Sequence, residues 1–66
     1  MRITINGEQR DLSAPTTIGG LLESLGLSVG ATIVQRNDDI VARDQYSDVV
    51  LNDGDNLELV RFVGGG

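Results

Sequence analysis

Cysteine and histidine are both missing from this 66-residue chain, and most of the usual routes to catalysis go with them. Without cysteine there is no disulfide framework, no thiolate zinc site and no thiol nucleophile, and the chain suits a reducing compartment. Without histidine the commonest general base and the imidazole metal ligand are absent too. Lysine is also missing: the five basic residues are all arginines, set against ten acidic residues for a net charge of −5. Such a surface repels a phosphate backbone, which argues against a nucleic-acid partner. It attracts basic protein surfaces, or simply keeps a small domain in solution. No apolar run approaches the roughly 20 residues of a bilayer-spanning helix, and the N-terminus reads as a strand, so a cytoplasmic protein with no membrane partner is expected. A chain this short buries only about 60% of its unfolded surface and has no room for a deep cleft. The expectation is a small domain that is not an enzyme, with no metal site and no cofactor of its own.

What is present is a regular alternation of structural signals. Met1, Ile3 and Ile5 alternate with polar residues as in a half-buried strand, and Asn6-Gly7 is the pair a type I′ hairpin turn requires. The return strand, Glu8 to Leu12, is mostly polar and belongs at or near an edge. Pro15 keeps Ala14 out of helical dihedrals, and Thr16 or Thr17 can cap a helix whose apolar face is Ile18, Leu21, Leu22 and Leu25. Gly26 sits where a left-handed C-terminal cap belongs. Gly19-Gly20 in the first turn costs on the order of 1 kcal/mol per glycine, so this helix depends on docking. A third strand spans Ala31 to Asn37, with the facing of Ile33 and Val34 undecided, and Asn37-Asp38-Asp39 turns it into a short fourth around Ile40-Val41-Ala42. Asp44 to Ser47 reads as a capped turn or a single 3₁₀ turn with Tyr46 a partly buried packing residue, and Val49-Val50-Leu51 returns to the core. After the turn Asn52-Asp53-Gly54-Asp55, Asn56 to Val63 forms the last strand, with Leu57 and Leu59 facing the helix and Glu58, Val60 and Phe62 facing away.

Two motifs fail on spacing. Asp53-Gly54-Asp55 resembles a calcium loop, but aligning Gly54 with that loop's glycine puts Val49, Leu51 and Val60 at ligand positions. The terminal glycines resemble a phosphate loop, which must run into a helix, and nothing follows Gly66. Three consecutive glycines have no side chains to dock, so residues 64–66 are expected to be a flexible tail on a domain of residues 1–63. Such a tail is either a frayed end or a slender arm that presents the Gly66 carboxylate inside a narrow channel of a partner.

In this element order the whole chain resembles the ubiquitin-like β-grasp family, and within it the ThiS-type sulfur carriers of thiamin biosynthesis. The residues that carry the likeness are Asn6-Gly7, Leu21-Leu22, Ile40-Val41 with Arg43, Asp53-Gly54-Asp55 and the ending Phe62-Val63-Gly64-Gly65-Gly66. The resemblance implies an α+β fold, a mixed four- to five-stranded sheet with one helix on one face, its first and last strands paired in parallel. It also implies a chemistry. A ubiquitin-activating-like adenylating enzyme, which itself binds ATP and Mg, activates the Gly66 carboxylate. A sulfur donor such as a cysteine desulfurase supplies sulfur to give a thiocarboxylate, and thiazole synthase receives it. Gly64 and Gly65 are the arm, and Val60, Phe62 and Glu58 the expected docking surface for the adenylating partner. Three other readings stay open: a sulfur carrier for molybdopterin synthesis, a ubiquitin-like modifier conjugated through Gly66, and a non-covalent β-grasp binding module.

Overall fold

The structure, a computed structural model, describes residues 1–61. Strands β1 (Arg2–Ile5) and β2 (Glu8–Asp11) form the expected hairpin, with Asn6 at φ 49° and Gly7 at φ 83°, both in the left-handed region a type I′ turn demands. Every residue of β2 is exposed, as its polar composition requires of an edge strand. Helix α1 (Ile18–Ser24) is capped by Thr17, whose hydroxyl accepts from the Gly20 N–H at 3.0 Å. It ends in a Schellman motif: Gly26, at φ 73°, donates to the Glu23 carbonyl, and Leu27 donates to that of Leu22.

Strands β3 (Thr32–Arg36), β4 (Asp39–Ile40) and β5 (Asn56–Arg61) complete a five-stranded sheet in the order β2-β1-β5-β3-β4. β5 lies at the centre, parallel to β1 and antiparallel to β3, the pairing implied by the family resemblance. The helix covers one face. Ile3, Ile5, Val34, Leu57 and Leu59 point towards it and close a core with Ile18, Leu21, Leu22, Tyr46 and Leu51. At about 0.8 kcal/mol per buried methylene, this layer supplies most of the drive to fold. The mixed sheet with a single helix is the β-grasp architecture.

Four readings of the sequence need correction. The β3–β4 turn has two residues, Asn37 (φ 49°) and Asp38 (φ 73°), so pairing begins at Asp39 and β4 is Asp39–Ile40 instead of residues 40–42. Ala31 belongs to a 3₁₀ turn, Val29–Ala31, and β3 starts at Thr32. Val50 is exposed: the segment bridges Thr17, and its alternation turns Leu51 inward and Val50 out. Tyr46 is fully rather than partly buried, at 3% exposure. Its hydroxyl accepts from the Val34 N–H (3.1 Å) and donates to the Thr32 carbonyl (2.9 Å). Both groups lie on the margin of β3 that the short β4 leaves uncovered. One phenol oxygen therefore does there what a further strand residue would do, and it meets the rule that buried main-chain groups be paired.

The paired glycines of α1 sit where the helix start meets its neighbours. Gly19 donates its N–H to the Tyr46 carbonyl at 2.8 Å, and a Cβ at Gly19 would stand 3.4 Å from that oxygen. A Cβ at Gly20 would run into the Thr16 hydroxyl. Ile18 N–H meets the Val49 carbonyl at 3.0 Å. The first turn of the helix thus gives its free N–H groups to the 46–49 segment and to Thr17.

Candidate functional site

The residues on which the predicted chemistry rests, Gly64, Gly65 and Gly66, lie outside the described residues, as does Phe62. What the structure describes is how β5 leads to them. Asp55, immediately before β5, is 5% exposed and gathers three donors around one carboxylate. The Asn52 N–H donates at 2.8 Å, the Asn37 side-chain amide at 3.1 Å and the Arg36 guanidinium at 2.9 Å, the last as an ion pair. Burial by itself pushes the Asp55 carboxyl up, but the Asn52 N–H, the Asn37 amide and Arg36 together outweigh it and hold the group below the usual aspartate value. Asn37 also closes on Asn56 in both directions, accepting its N–H at the side-chain oxygen (2.9 Å) and donating its own N–H to its carbonyl (2.8 Å). The start of β5 is pinned.

The far end is held by the hairpin tip. Beyond the last residue of β1, the Asn6 N–H donates to the Leu57 carbonyl at 2.9 Å. Its side chain then imitates one more strand residue: the Leu59 N–H donates to Asn6 Oδ1 at 2.9 Å, and Asn6 Nδ2 donates to the Leu59 carbonyl at 3.2 Å. Asn6 was legible in the sequence as a turn former, and this second task was not. β5 is thereby fixed up to Leu59, immediately before the residues of interest.

Val60 and Glu58 stand on the sheet face that the helix leaves uncovered, and Val60 is 55% exposed. Directly across the strand boundary Val60 meets Ile33. On β4, Ile40 is opposite Gln35 and is 75% exposed, which places it on the same face one diagonal from Ile33. Val60, Ile33 and Ile40 therefore form an apolar stretch across three strands beside polar Thr4, Gln35 and Glu58. Ile33 and Ile40 were not singled out from sequence. The register that decides them, Val34 inward against Leu59, depends on a partner strand more than twenty residues away.

Among the described residues no helix is long and apolar enough to cross a membrane, and no three His, Cys, Asp or Glu side chains are placed to hold a metal ion. The arrangement offers a rigid strand that leads to the C-terminal residues and an apolar face beside it.

Comparison with known proteins agrees. A sequence model of the ThiS family matches residues 3–66. The chain is 47% identical, over its whole length, to a thiazole synthase of Paramagnetospirillum magneticum. It spans only about a fifth of that longer relative, since the match covers 20% of it. It is 40% identical over 65 residues to the sulfur carrier protein ThiS of Bacillus subtilis, covering 97% of this chain and 98% of that one. In three dimensions it is similar to the crystal structure of the thiamine biosynthesis protein ThiS from Geobacter metallireducens, with a TM-score of 0.84 and 26% identity, both chains fully covered. Family model, full-length relative and fold coincide, and the chain belongs to the ThiS family.

Proposed function

We propose that this chain is a sulfur carrier that works through its C-terminus, as a co-substrate of partner enzymes. The observation that carries the reading is that the family match runs to residue 66 and so takes in Gly64, Gly65 and Gly66. The name of the Bacillus subtilis relative supports the same role. In the proposed cycle an adenylating partner, holding ATP and Mg, joins the Gly66 carboxylate to AMP and releases pyrophosphate. Sulfide, set free by a thiol reductant from the persulfide that a donor such as a cysteine desulfurase carries, attacks the acyl carbon. AMP leaves with the electron pair of the broken C–O bond, a proton is lost to water, and a thiocarboxylate remains. The step needs no base from this chain, because the acyl phosphate bond is already activated.

Relatives named thiazole synthase contain a stretch similar to this whole chain, which favours thiazole synthase as the sulfur acceptor over a molybdopterin or protein-lysine acceptor. Val60, together with Glu58 and Phe62, supplies the docking face for the adenylating enzyme. The six residues after Val60 span at most ~21 Å fully extended, so the surface that grips Val60 must lie within about that reach of the adenylation site.

The test is intact mass after incubation with ATP, Mg, the adenylating enzyme and sulfide. The wild type should exchange one terminal oxygen for sulfur, and variants lacking Gly66 or carrying one extra residue should not. An unchanged wild-type mass with an active enzyme overturns the proposal.

A further inference from the structure

Of the five arginines, two are ion-paired: Arg2 with Asp11 and Arg36 with Asp55. Arg10, Arg43 and Arg61 have no ion-pair partner among the described residues. Two of these three converge. Arg10 is registered opposite Ile3, on the helix side of β2, and Arg61 follows Leu57 and Leu59 on the helix side of β5. Both line one cleft of about 280 Å³ beyond the C-terminal end of α1, together with Ile5, Leu25, Leu27 and Leu59. The cleft lies on the opposite side of the sheet from Val60, at the root of the C-terminal residues.

In a chain of net charge −5, two guanidinium groups without an ion-pair partner among the described residues, over an aliphatic floor, are a local reversal of sign. The volume falls below the roughly 300–1,000 Å³ of small-molecule sites and suits one or two side chains. Guanidinium groups bind carboxylates through paired N–H donors, and the leucines suit an apolar neighbour of that carboxylate.

We infer that this cleft is a second docking point, which takes an acidic-apolar segment, a carboxylate side chain beside an aliphatic or aromatic one, on the adenylating enzyme. It rests on the carrier reading above. With Val60 on one side of β5 and the cleft on the other, the partner grips the strand from both faces and fixes where the C-terminal residues enter.

The experiment measures the affinity of Arg10→Gln, Arg61→Gln, the double variant and Arg43→Gln for the adenylating enzyme at two salt concentrations, with melting temperatures as a check on folding. Each single cleft variant should bind about three- to tenfold more weakly, and Arg43→Gln within about twofold of wild type. The double variant should lose most of the salt dependence of binding. Unchanged affinity in the double variant, with sulfur loading intact, overturns the cleft and leaves the carrier role standing. An equal loss in Arg43→Gln overturns it as well, because net charge then accounts for the effect. A wild-type chain that neither binds the enzyme nor accepts sulfur overturns both readings.

Discussion

Replacing Tyr46 by phenylalanine removes a single oxygen, and the structure makes that oxygen costly. The ring would keep its place in the core, where it contacts the layer formed by α1 and β3. What disappears is the partner of two main-chain groups, the Val34 N–H and the Thr32 carbonyl, on residues that are both 0% exposed. A buried polar group stripped of its partner costs about 1–3 kcal/mol. For a chain of 66 residues, an unfolding entropy of ~2.1 cal/mol/K per residue makes each kcal/mol worth about 7 °C of melting temperature. Tyr46→Phe should therefore melt about 7–20 °C below the wild type. Thermal unfolding followed by circular dichroism measures the shift. Urea titration should show a lower midpoint with an unchanged slope, the signature of lost stability without a change in exposed surface. A melting temperature within about 2 °C of wild type would refute the reasoning, and would mean that water reaches the β3 margin.

Four other substitutions test three separate parts of the protein. Asp55→Asn should destabilise by about 1–3 kcal/mol at neutral pH. Because the folded carboxyl titrates below its unfolded value near 3.9, its contribution is complete above about pH 4 and fades as the pH falls through the lowered value. The gap between the two melting curves should close in acid, and a gap that is constant down to pH 2 or widens contradicts the assignment. Asn6→Gly keeps a residue that accepts positive φ but deletes the bonds to Leu59, so a loss of about 1–2 kcal/mol is expected in urea unfolding, whereas a turn-only role predicts none. Val60→Asp and Phe62→Ala should each weaken the complex with the adenylating enzyme roughly tenfold or more. Calorimetric titration gives the affinity, and a Phe62→Ala protein that unfolds but binds normally per folded molecule would place Phe62 in the core.

Much of this architecture was legible because it rests on local rules. Asn6-Gly7 announces its turn by the dihedrals it tolerates, Leu21 and Leu22 announce a helix face by spacing, and Leu57 and Leu59 announce the inner face of β5 by alternation. The features that escaped depend on contacts between distant segments. No local pattern shows that the Tyr46 hydroxyl will meet β3, that a Cβ at Gly20 would run into the Thr16 hydroxyl, or that Asn6 will reach Leu59. The β3–β4 turn was misplaced by one residue because Asn37-Asp38 occupies left-handed dihedrals without the glycine that usually marks them. The candidate docking residues divide in the same way. Val60 follows from the period of its own strand, while Ile33, Ile40 and the Arg10–Arg61 cleft follow only from the assembled sheet.

The parallel pairing of β1 and β5 has a mechanical consequence for any partner that draws the C-terminal residues into a channel. A pull on them is transmitted along the axis of β5, which is bonded to β1 on one side and to β3 on the other. Hydrogen bonds between strands lie across that axis, so such a force loads them in shear, all together, instead of opening them one at a time from an end. The Asn6 bonds to Leu59 and the Asp55 cluster stand at the two ends of the loaded region and share the stress. Resistance to forced unfolding is set by the unfolding rate, so this sheet can be stiff under tension while its equilibrium stability stays modest.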